Sequence, residues 1–125
     1  MASTDQHRRQ TIQQAIARRP DATVNTSIDL WERLASVVIV TIGAEGFRML
    51  FSRSIHTTRN LFPWMPEHTS DAAEHRFAVL RACLEEQVVA ESSVASASLL
   101  NAFIDTLILL LGEPLTANVL NSAWD

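Results

Sequence analysis

The chain has 125 residues, 47% of them hydrophobic, with three glycines, four prolines and a formal net charge of −4. That length suits one domain with its own core, and the apolar fraction excludes disorder beyond a polar N-terminus. The ten basic residues are all Arg and face fourteen acids, which argues against general nucleic-acid binding because such binding rests on neutralising phosphates.

Residues 1–23 read as a polar, locally basic arm or short helix. Arg8, Arg9, Arg18 and Arg19 surround Ile12, Ala15 and Ile16, which are spaced for a helix that buries little, and Pro20 and Asp21 end it. The opening charges are not followed by the apolar run of a secretory signal, so the expected location is the cytoplasm. Residues 24–125 form the expected bundle domain. Asn25, Thr26 and Ser27 offer N-cap side chains, residues 28–42 make a first core helix, and Gly43 ends or bends it.

A helix over residues 44–60 follows, with Phe47, Leu50, Phe51 and Ile55 on its buried side. Its other side carries Glu45, Arg48, Ser52, His56 and Arg59, with Arg53 beside them. Arg48, His56 and Arg59 at such spacing could hold an anion such as a phosphate or carboxylate. The same line is the wet face of any amphipathic helix, and that reading is preferred. The segment HTTRN, with His56 followed by Arg59, resembles the histidine region of the phosphotransfer domains of two-component signalling. Those domains usually carry Lys then Gly where this chain has Arg59 and Asn60. The resemblance implies a phosphate carried on His56.

Residues 61–69, LFPWMPEHT, combine two backbone-restricting prolines with Leu61, Phe62, Trp64 and Met65. Such side chains either cover an end of the bundle or bind a partner. A further helix opens near Ser70 with Asp71 and Glu74 in its first turn, and Phe77, Leu80, Leu84 and Val88 form its buried stripe. His68, Asp71 and His75 lie close enough in sequence to suggest a metal site. His68 precedes the helix and no recognised metal-ligand spacing is present, so no metal or other cofactor is expected. Cys83 has no partner for an internal disulfide and sits among apolar neighbours, as a buried thiol would.

Residues 91–95, ESSVA, read either as a turn or as the start of the most apolar stretch, residues 96–112. There Leu99, Phe103, Leu107, Leu110 and Leu111 share one side of a helix, and past Asp105 the helix is apolar all round. The run is shorter than the roughly 20 residues of a membrane span and contains a carboxylate, so a core helix is expected. Asp105 must reach solvent, pair or take up a proton. Laying Gly43 on Gly112 aligns Leu30 with Leu99, Leu34 with Phe103 and Val38 with Leu107, an internal echo of the first core helix. Pro114 then opens a last short helix that packs back through Leu115, Val119, Leu120 and Ala123.

The expected fold is therefore all-α, a single compact antiparallel bundle of five or six helices, compatible with a pseudo-duplicated three-helix unit. The expected function is that of a non-enzymatic cytoplasmic regulator or adaptor of bacterial type. It would contact a protein partner, or a second copy of itself, through Leu61, Phe62, Trp64 and Met65. The alternative is a sensor holding a small ligand inside the bundle, oriented by Arg48, His56 or Asp105; phosphotransfer through His56 comes third.

Overall fold

The computed structural model describes residues 23–66 and 77–124, all of them in helices or short connections. Among the described residues four helices build an all-α bundle: α1 (Thr23–Arg59), α2 (Ala78–Glu85), α3 (Val89–Leu111) and α4 (Glu113–Trp124). This corrects the expected five or six helices and the three-helix repeat unit. The segments on either side of Gly43 form one long element, bent where Gly43 takes φ 89° and ψ 162°. The expected N-terminal arm lies largely outside the described residues.

The bend is sharp enough to fold α1 back on itself. Trp31 stands about 18 Å along the first arm from Gly43 and Phe51 about 12 Å along the second, at 1.5 Å per residue, yet their ring centroids are 4.8 Å apart. Only a hairpin brings them together. Gly112 repeats the device with φ 88° and ψ 162°, and its N–H bonds to the Ile108 carbonyl at 2.8 Å as α3 ends. That backbone region is nearly closed to residues with a Cβ, which is why glycine stands at both turns.

Short helix α2 ties the open ends of the hairpins together. Arg81 donates to Asn25 Oδ1 at 2.6 Å near the start of α1, and Ser92 Oγ donates to the Leu84 carbonyl at 2.7 Å near the start of α3. Both first arms therefore leave from α2, and both glycine bends lie at the far end of the bundle. The C-terminus is docked as well: Trp124 Nε1 donates to the Leu30 carbonyl at 3.0 Å.

The core is an aromatic cluster, with Trp31 edge-on to Phe51 and Phe103 and with Phe47 and Phe77 around them. Leu34, Val38, Leu99, Leu100, Ile104 and Leu107 surround it. Several local expectations change. Because α1 already starts at Thr23, Asn25 to Ser27 lie within its first turns and do not cap it. The segment ESSVA is helical and lengthens α3 to 23 residues. Because α2 ends at Glu85, Val88 is the extended N-cap of α3 and is exposed, outside the stripe of Phe77, Leu80 and Leu84.

Candidate functional site

The end of the bundle formed by the two bends carries the most exposed aliphatic side chains. Val40, three residues before Gly43, is 88% exposed, and Leu109, three residues before Gly112, is 86% exposed. Leu110 and Leu115 extend the apolar surface around the second bend at 58% and 56%. Helix geometry explains this. Both first arms are apolar on every side as they approach their glycine, and a helix can turn only part of its circumference to the core. Exposed Glu45, paired with Arg48, and exposed Glu113 stand just beyond the two glycines.

Two of these residues differ from the expectation. Leu110 was assigned to the buried side of α3 and Leu115 to the packing of the last helix, and both are exposed. All-round apolarity gives a periodicity argument no direction to choose. The signal that was present is positional: Val40 and Leu109 stand at the same distance from the two glycines.

The loop expected either to cover an end of the bundle or to bind a partner is mostly turned inward. Met65 is buried, while Phe62 and Trp64 are half-buried against the core with ring centroids 5.9 Å apart. Trp64 Nε1 donates to Glu91 Oε1 at 2.9 Å and fastens the loop to the start of α3. Leu61, at 74% exposure, is the member of this set that faces solvent. The loop turns because Leu61 and Phe62 both donate their backbone N–H to the Thr58 carbonyl, at 3.0 and 2.9 Å.

The expected ligand-orienting residues do not meet inside the bundle. Arg48 and His56 are exposed on the second arm of α1, where Arg48 pairs with Glu45 one turn away, and Arg59 is half-buried in the last turn. Asp105 is half-buried on α3. The weak metal candidates His68, Asp71 and His75 lie outside the described residues. Among the described residues no three His, Cys, Asp or Glu side chains form a group able to hold a metal ion. Cys83 is half-buried, and burial, reinforced by the charge of Glu86, pushes its thiol pKa above the ordinary value. It is a poor nucleophile near neutral pH.

The chain matches no protein-family model, no curated protein and no solved structure. Among the described residues, two helices are by length and composition apolar enough to cross a membrane, Val24–Arg59 and Val89–Leu111, with 28% and 50% of their most apolar windows buried inside the protein. The second passes because ESSVA joins it, which lengthens the run judged too short from the sequence.

Proposed function

We propose that this protein is a non-enzymatic adaptor or regulator that works by protein–protein contact, and that the contact surface is the bend end of the bundle. The observation that carries the reading is that the two most exposed aliphatic side chains, Val40 and Leu109, stand at the two bends with Leu110 and Leu115 beside the second, while Met49, Leu61, Val79, Val88, Val89 and Val94 are exposed elsewhere. Leu61 on the connecting loop is a second, smaller point of contact at the other end. In this reading the protein works in the cytoplasm, where a lone half-buried thiol stays reduced.

Charge favours a protein over a lipid surface as the occupant. Cytoplasmic leaflets are anionic and attract basic segments. The chain is acidic overall, contains no Lys, and places Glu45 and Glu113 beside the two bends. A partner offering aliphatic pockets with a basic rim fits that pattern.

The test is photo-cross-linking in living cells from a benzoylphenylalanine placed at position 109, with the same probe at position 61 as the comparison. A discrete adduct with another polypeptide from position 109 is the expected result. Adducts with lipid would replace the protein partner by a membrane. Adducts from position 61 alone would move the contact to the loop, and the absence of adducts at both positions would end the adaptor reading.

A further inference from the structure

Three polar groups at the α2 end of the core are sealed from solvent and have no hydrogen-bond partner among the described residues: Ser27 Oγ, Ser96 Oγ and Trp31 Nε1. Ser27 and Trp31 are fully buried, and Ser96 is 1% exposed. Buried polar groups are nearly always satisfied, since leaving one unpaired forfeits its hydration without compensation. Three such groups in one part of a small core call for a common explanation.

Their placement supplies one. Ser27 lies one turn before Trp31 on the same face of α1. Ser96 lies two turns before Phe103 on the same face of α3, and the Trp31 and Phe103 rings meet at 5.2 Å. Because both first arms run away from α2, that ring contact sets the register between them. Ser27 and Ser96 thus both lie on the α2 side of the aromatic cluster. They also occupy the same position relative to Gly43 and Gly112, sixteen residues upstream of each. Thr116 Oγ1 is likewise buried and unpaired, but it follows Gly112 by one turn and belongs to the opposite end.

We propose that Ser27, Trp31 and Ser96 form a buried binding site for water, one or two molecules shared between α1 and α3. The chemistry of the donor set restricts the guest. The indole N–H can only donate, so the guest must accept there, and the two hydroxyls can donate or accept as needed. A cation would face the indole N–H with no carboxylate among the three groups, and none of the three carries a positive charge for an anion. A neutral guest that both accepts and donates satisfies all three, and buried water typically makes about three hydrogen bonds of this kind. The site is distinct from the contact surface at the bend end and does not depend on it.

Nuclear magnetic resonance of the full chain tests this directly. The Trp31 indole proton is assigned by comparison with Trp64→Phe and Trp124→Phe, and its cross-relaxation with water is then measured. Cross-peaks of the sign given by a long-lived bound water are expected, and they should weaken in the Ser27→Ala, Ser96→Ala double variant. A Trp31 indole proton with no water contact would overturn the site. Thermal unfolding provides an independent reading. Each single Ser→Ala variant should lower Tm, and the double variant should fall by less than the sum because the two hydroxyls hold a common guest. A rise in Tm for either single variant would show that its hydroxyl is better removed, and would also overturn the site.

Discussion

The halves Thr23–Arg59 and Val89–Trp124 turn on the same backbone device and fill it with different side chains. Gly43 and Gly112 agree to within a degree in φ, and burial follows the distance from them. Leu34 and Phe103 are both buried nine residues before their glycine, and Phe47 and Thr116 are both buried four residues after it. The first half concentrates the aromatic bulk in Trp31, Phe47 and Phe51, while the second supplies Phe103 with Leu, Ile and Ala around it. Position relative to the bend decides whether a residue is inside. The volume left by its neighbours decides which residue it is, since a core must be filled without gaps or overlap.

That comparison can be broken most forcefully at the aromatic core. Phe51→Ala should destabilise the fold by about 3–5 kcal/mol, enough to threaten folding of a domain this size, as read by urea or thermal unfolding. Leu120→Ala, at the matching place in the second half, should destabilise by less because Leu120 is smaller and only half-buried. Equal losses would mean that the two halves share the core load evenly.

The bends come next. Gly43→Ala and Gly112→Ala should each destabilise by about 1–3 kcal/mol, the range for a side chain forced into that backbone region. The added Cβ at Gly43 meets nothing within 4 Å, and at Gly112 it meets Pro114 Cδ at 3.9 Å, so the loss is backbone strain alone and should be similar at both sites. A marked difference between the two variants would separate the bends. Smaller still is Trp124→Phe, which removes the donor to the Leu30 carbonyl and should lower stability by about 0.5–1.5 kcal/mol while keeping most of the packing. At the bottom of the scale, Val40→Ala and Leu109→Ala should change stability by no more than about 0.5 kcal/mol, as open surface positions do.

Much of this arrangement was legible in the sequence. Three- and four-residue spacing placed Phe47, Phe51 and Ile55 on the inner side of their helix, and the alignment of Gly43 with Gly112 pointed to two similar turns. The helix count was not legible, because the sequence does not say whether the two arms on either side of a glycine kink stay joined as one bent element. Nor was the exposure of Val40, Leu109 and Leu110. Each sits in a segment apolar on all sides, where the orientation is set by how far the opposite hairpin reaches. Trp64 and Met65 take the first of the two roles open to them from the sequence: apolar loop residues announce that they will be covered, and here the core does the covering. Ser27 and Ser96 carried no signal as a pair, since Ser27 read as a cap until α1 was seen to begin earlier, and Ser96 stood at the edge of the apolar stretch.

The central claim is that the bend end is an open apolar surface on an otherwise complete fold. Its most direct test is the melting temperature of the full chain carrying Val40→Glu, Leu109→Glu and Leu110→Glu together. The account predicts a folded protein whose Tm stays within a few degrees of the wild type, because charges at open positions remain hydrated. A collapse of the cooperative transition would contradict it, for it would place these three side chains inside the core.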